Sequence, residues 1–292
     1  MPHAPILIPT GTRLYTDLDH LASRYQMVFC AGLPGVGKSL IVNQLARMAH
    51  NRGRRVWLLQ WDVCRAPFDS HPEISAAYPE RAGVTDPAVR CATGIWARNA
   101  IGQWLETQTN GDQILIGEIS LVGNRLVELL RIEDDRAETG LSAQTTHFVT
   151  PVPTKEIRAM IEAQREQRSA TPQHEREKAD AIPDVMRSLW GELYEVTNLL
   201  GLPVSTPNCA SGTYDPDVYS GVFSALMKHR NHSAMLIDTL IDTTNHSVYD
   251  LDIGCSELVP SPGEVSASIA DVERLYADRN DLENHVSRWY QV

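Results

Sequence analysis

The stretch Gln26-Met27-Val28-Phe29-Cys30-Ala31, followed at once by Gly32-Leu33-Pro34-Gly35-Val36-Gly37-Lys38-Ser39, constrains the fold more than any other part of the chain. Its first half is a short, nearly unbroken apolar run bounded by a glycine turn, which reads as a buried strand. An amphipathic helix follows from about Lys38 to His50. A strand that turns through glycines into a helix opens a βαβ unit, and the chain is therefore expected to build a parallel sheet covered on both faces, an α/β fold.

The rest of the pattern extends this reading. Further strands are expected at Arg54 to Trp61, Gln113 to Glu118 and Thr146 to Thr150, with a fifth at Leu202 to Thr206. Helices are expected at Pro87 to Glu106, where Pro suits the first turn, at Asn124 to Arg131, at Lys155 to Arg168 with Thr154 as N-cap, and at Asp180 to Leu200. Two Pro-containing polar stretches read as connections: a loop at 67–87 and a mobile link at 169–178. Beyond Pro207 the pattern predicts helices at Asp215 to His229 and Ser233 to Ile241, a short strand at Ser247 to Ile253, and a helical tail from Gly263 to Tyr290. Residues 1–206 are thus expected to form the core and 207–292 a mostly helical extension.

Composition narrows the function classes. With 42% hydrophobic and 22% charged residues and no apolar run of about 18 residues, the chain reads as a soluble protein without a membrane span. The N-terminus lacks the basic flank and small-residue cleavage pattern of a secretion signal, so the cytoplasm is expected. Five scattered cysteines, with no C-x-x-C pair, are expected to be free thiols. A net charge of −11 disfavours general attraction to a phosphate backbone and argues against nucleic acid as a partner.

The G-x-x-x-x-G-K-S spacing has a mechanical rationale. Gly32, Gly35 and Gly37 let the backbone wrap so that successive N–H groups, including those of Val36 and Leu40 in the same stretch, face phosphate oxygens. Lys38 is expected to reach the β and γ phosphates, and Ser39 to place its hydroxyl on Mg²⁺. The helix that starts there turns its positive dipole end toward the same anion. Glu118, at the end of an apolar strand, is a second candidate on the metal side.

Trp61-Asp62-Val63-Cys64-Arg65 places an acid and a base at the end of the second strand, the edge where parallel sheets present ligand residues. Asp62 is the candidate base for an acceptor hydroxyl, and Arg65 a candidate grip on an anionic group. Lys155, Arg158, Arg165 and Arg168 form a cationic helix suited to a lid at about 154–178, with Arg165 and Arg168 facing the triphosphate. Interleaved Glu156, Glu162 and Glu166 equally suit a solvated, ion-paired surface helix. Between the second and third strands Arg98 is a candidate acceptor residue, while Trp96 and Trp104 share a helix face and read as core.

With G-L-P-G-V-G-K-S followed by a strand ending in D-x-x-R, the chain resembles the P-loop small-molecule and polynucleotide kinases, which include zeta-toxin-like, chloramphenicol phosphotransferase-like and 5′-hydroxyl kinases. The resemblance covers about residues 26–206 in element order, and the P-loop is its specific part. It implies the P-loop NTPase three-layer fold with five strands in the order 2-3-1-4-5, Mg-ATP as phosphoryl donor, the acid at Asp62 as base and an arginine-bearing lid after the fourth strand. The implied activity is an ATP-dependent kinase acting on a small-molecule acceptor: a hydroxylated metabolite, nucleoside or nucleotide. Two other readings stay open at this level: a polynucleotide 5′-hydroxyl kinase, and a nucleotide-dependent regulatory NTPase whose C-terminal helices bind a protein partner.

Overall fold

A computed structural model describes residues 4–81, 83–108, 111–170, 174–179, 183–203, 213–243 and 246–292. The fold is α/β. One six-stranded sheet runs in the order β5-β4-β1-β3-β2-β6, and every neighbouring pair is parallel. Its strands are β1 (Met27–Ala31), β2 (Arg55–Gln60), β3 (Gln113–Ile119), β4 (Thr146–Pro153), β5 (His232–Ile237) and β6 (Cys255–Glu257).

The helices are α1 (Arg13–Arg24), α2 (Lys38–Asn51), α3 (Trp61–Ser70), α4 (Pro72–Ala77), α5 (Pro87–Glu106), α6 (Glu138–Leu141), α7 (Lys155–Ala170), α8 (Pro183–Leu199), α9 (Pro216–Leu226), α10 (Pro262–Leu275) and α11 (Arg279–Ser287). Because side chains alternate along a strand, Val28 and Cys30 of β1 face α1 and α2, whereas Met27, Phe29 and Ala31 face the layer containing α3, α5 and α8 to α11. All five residues of β1 are buried, as a strand covered on both faces requires.

Several expectations change. Among the described residues the sheet has six strands rather than five, and the fifth and sixth come from segments other than those expected. Leu202 and Pro203 are not in a strand, and the remainder of the expected fifth strand, 204–206, lies outside the described residues. The place beside β4 is taken by His232–Ile237, which overturns the helix expected at Ser233 to Ile241. No strand forms at Ser247 to Ile253, and the three-residue β6 pairs with β2 instead. The sheet therefore crosses the division expected at residue 206.

About half of the expected 67–87 loop is helical, in the end of α3 and in α4, and the helix expected over Asn124 to Arg131 is a single 3-10 turn at Val127–Leu129. The link at 169–178 is packed where it is described. A 3-10 turn at Glu175–Ala179 is tied down by Arg176, which donates to Gln60 Oε1 (3.1 Å) and Glu257 Oε1 (3.2 Å), and by Glu177, which accepts from Ser247 Oγ (2.7 Å). Among the described residues no helix is long and apolar enough to cross a membrane. Cys30, Cys64, Cys91 and Cys255 are free thiols, and Cys209 lies outside the described residues.

Candidate active site

The glycine loop leaves the C-terminal end of β1 and delivers the chain to α2. Gly35 (φ 79°) and Gly37 (φ 88°) are both left-handed, a conformation that costs glycine little. Gly37 is the N-cap of α2 and supplies no side-chain cap, so the first N–H groups of the helix stay available to an anion. Gly32 is needed for another reason. A Cβ there would collide with the hydroxyl of Tyr219, a fully buried residue of α9.

The sheet register brings Glu118 to this loop, opposite Cys30 of β1 and Gln60 of β2. Its carboxylate accepts from Ser39 Oγ (2.9 Å) and from Gln60 Nε2 (3.3 Å) and stands 3.9 Å from Lys38 Nζ. Lys38, 6% exposed, donates to the Leu33 carbonyl (3.0 Å). Burial lowers its pKa, with Glu118 pulling the other way. Burial, reinforced by Glu118, pushes the neighbouring Cys30 thiol well above its ordinary range, which keeps it neutral.

These groups open into a cleft of about 810 Å³. Gly35, Gly37, Lys38, Ser39, Leu40 and Glu118 line it, together with Asp62 and Arg65 from α3 and Arg165 and Arg168 from α7. Asp62 sits in the first turn of α3, directly beyond β2, and is exposed. Val36 is buried in the core beneath the loop. Helix α7 lies over the loop, because a Cβ on Gly37 would come within 4.0 Å of Ile161, and one on Gly35 would meet Met186 of α8 at 3.1 Å.

Not every expected residue serves the cleft in the way the sequence suggests. Arg65 lines it but is ion-paired to Asp69 and lies 3.8 Å from Glu80, so its cation is already neutralised. Arg168 is anchored to the carbonyl (2.9 Å) and hydroxyl of Thr243. Arg158 is buried, bonded to Glu162 (2.7 Å) and stacked 4.4 Å from the Tyr214 ring centroid.

Arg98 is a correction. It is 5% exposed on α5 and bonded to Asp135, Glu138 and the carbonyls of Glu128 and Arg131, a structural clamp away from the cleft. Trp96 and Trp104 are core.

Sequence reasoning missed the far wall, where Thr239, Leu240, Ile241, Thr243, Val248 and Tyr249 follow β5, and it missed Arg176. Only the correct placement of β5 would have directed attention to that wall. No protein-family model, curated protein or solved structure matches the chain.

Proposed function

We propose that this chain is a P-loop phosphotransferase that moves the γ-phosphoryl group of Mg-ATP to a hydroxyl of a small metabolite, nucleoside or nucleotide. One observation carries the reading: Lys38 and Ser39 from the glycine loop, Glu118 from the end of β3 and Asp62 from α3 open into a single cleft at the C-terminal edge of a parallel sheet. The donors suit the groups they would hold. The Ser39 hydroxyl and Glu118 carboxylate, 2.9 Å apart, are hard oxygen ligands of the kind Mg²⁺ takes. The open N–H groups of α2 and the Lys38 ammonium suit phosphate, and the cleft falls within the range of roughly 300–1,000 Å³ common for small-molecule sites.

Bound Mg²⁺ would withdraw charge from the β and γ phosphate oxygens. The protein's own residues do the rest. Lys38 turns from the Leu33 carbonyl to the phosphates, a short reorientation because the ammonium already sits within the loop. Asp62 orients the acceptor hydroxyl and takes its proton as the acceptor oxygen bonds to the γ phosphorus. The bond from that phosphorus to the β–γ bridging oxygen breaks, and ADP leaves with the electron pair. Arg165 steadies the charge on the migrating group, Arg168 being held by Thr243, and α7 keeps out water that would hydrolyse the nucleotide. A reaction fed by ATP suits a cytoplasmic protein.

The test uses labelled ATP, Mg²⁺ and pools of hydroxylated metabolites and short oligonucleotides. Label is expected in a small-molecule pool. Lys38→Ala should lose about a hundredfold or more in kcat with an unchanged circular dichroism spectrum, because it removes charge from the phosphate site without opening the core. Asp62→Asn should bind Mg-nucleotide normally and transfer nothing. ATP hydrolysis that labels no acceptor in any pool would overturn the reading in favour of a nucleotide-dependent switch.

A further inference from the structure

The backbone is most unusual just beyond β3. Leu121 (φ 64°), Asn124 (φ 60°) and Leu126 (φ 64°) are the three left-handed non-glycine residues among those described, and Gly123 between them has φ 72°. Such conformations persist only where the surroundings impose them, and they concentrate at functional sites. Here they produce a tight reversal in which Leu121 and Arg125 exchange backbone hydrogen bonds of 2.9 and 3.1 Å. The reversal is held from behind. Buried Asn124 donates to Glu128 Oε1 (2.7 Å), and the Gly123 carbonyl accepts from Arg90 (2.7 Å).

What this loop turns toward the cleft is Arg125, which lines it with Asp62, Arg65, Thr85 and Ser120. Arg65 is paired to Asp69, and the Arg90 guanidinium is bonded to Gly123. Half-buried Arg125 makes no side-chain hydrogen bond or ion pair among the described residues. Glu192 and Asp62 attract it from a distance, against the burial that lowers its pKa, and Glu192 is already engaged by Trp289 Nε1 (2.9 Å). A guanidinium withdrawn from water without a contacting anion is costly, and its planar fork matches a carboxylate or phosphate.

We infer that Arg125 binds an oxyanion of the acceptor, so that the substrate is a hydroxyl compound that also carries a phosphate monoester or carboxylate. The inference rests on the phosphotransfer reading and narrows it. Asp62 addresses the reacting hydroxyl while Arg125 holds the anionic group, and a neutral analogue leaves the guanidinium desolvated and unmatched.

The experiment offers the full chain, with Mg²⁺ and labelled ATP, three pools of hydroxyl compounds: phosphate monoesters, carboxylates and neutral alcohols. It compares wild type with Arg125→Gln and Arg125→Lys and follows nucleotide affinity separately with a fluorescent ATP analogue. Label is expected in an anionic pool, and which of the two is labelled identifies the oxyanion. Arg125→Gln should raise the KM of that acceptor by about tenfold to a hundredfold, change nucleotide affinity less than about twofold, and be partly rescued by Lys. If Arg125→Gln fails to bind nucleotide, Arg125→Lys reads the same split between acceptor and nucleotide. Label confined to neutral alcohols, or an acceptor KM unmoved in Arg125→Gln, overturns this inference and leaves phosphotransfer standing. Absence of label from every pool, with nucleotide bound, overturns phosphotransfer and this inference with it.

Discussion

Gly32 shows how far a motif can be read residue by residue. The need for Gly35 and Gly37 is local, because both sit at positive φ in a turn that the spacing announces. Gly32 has no positive φ, and its constraint comes from Tyr219 on a distant helix, where no spacing rule reaches. The buried Tyr219 hydroxyl has no hydrogen-bond partner among the described residues, and its ring packs 4.8 Å from Phe223, so it has little room to retreat. Gly32→Ala should therefore cost about 1–3 kcal/mol in urea denaturation, an overpacking penalty. Tyr219→Phe removes the colliding oxygen, and the double variant Gly32→Ala/Tyr219→Phe should recover most of the loss. If the two changes are additive, the clash is not the cause. The same distinction separates Asp62 from Arg65: strand-end position puts both at the cleft, but the pairing of Arg65 with Asp69 depends on α3 continuing through a stretch whose composition predicts a loop from Pro67 onward.

At the scale of elements, periodicity located β1, β3, α2 and α5, and it failed where a segment's partner decides its state. His232–Ile237 becomes a strand because β4 offers it an edge, and β6 exists only as three residues laid along β2. Arg98 is the clearest failure, since its partners Asp135 and Glu138 lie before and at the start of the short α6, in a stretch where the pattern predicts no element. Together with Arg230 it clamps that stretch. Glu138 accepts from Arg98 (2.9 Å) and from both terminal nitrogens of Arg230 (2.6 and 3.0 Å), while the two arginines also take the carbonyls of Glu128, Leu129 and Arg131. Burial alone would raise the Glu138 pKa, but hydrogen bonds from Arg230 and Arg98 outweigh it and hold the group at about 2. Arg98→Ala should cost about 3 kcal/mol at pH 7 in urea denaturation, because it leaves buried acceptors unmatched. A carboxyl held below its unfolded value stabilises fully above that value and loses the contribution as pH falls toward about 2. The gap between wild type and Arg98→Ala should accordingly narrow at pH 3. A gap that is equally wide there would show that Arg98 acts through packing rather than charge.

For the whole molecule, composition and the first βαβ unit indicated an α/β class, but not how the ends of the chain close it. The N-terminal segment is fastened to α2, where Asn51 Oδ1 accepts from the Ala4 amide (2.8 Å) and Gln44 Oε1 from that of Leu7 (2.6 Å). The expected helical tail exists, as α10 and α11, and it packs on α5 as part of the main core rather than standing apart. Trp289 is 1% exposed and donates to Glu192 of α8. In α11, His285 Nε2 lies 2.6 Å from Arg131 Nη1, and since a guanidinium only donates, the imidazole must be neutral and accept. Burial first and the Arg131 charge second lower the His285 pKa to about 4, from an ordinary 6.5. A base held below its unfolded value resists protonation in the folded state, so the folded protein is undisturbed above about pH 6.5 and loses stability as the pH falls from there toward 4. With the ring partly exposed, solvent screening reduces the expected loss at pH 5 to about 1 kcal/mol. His285→Gln keeps an acceptor for Arg131 and cannot titrate. Urea midpoints at pH 7 and pH 5 should therefore fall less in His285→Gln than in wild type, and because burial also depresses His147 in both proteins, its contribution cancels in the comparison. Equal falls would mean that the contact between the tail and Arg131 does not govern the acid response.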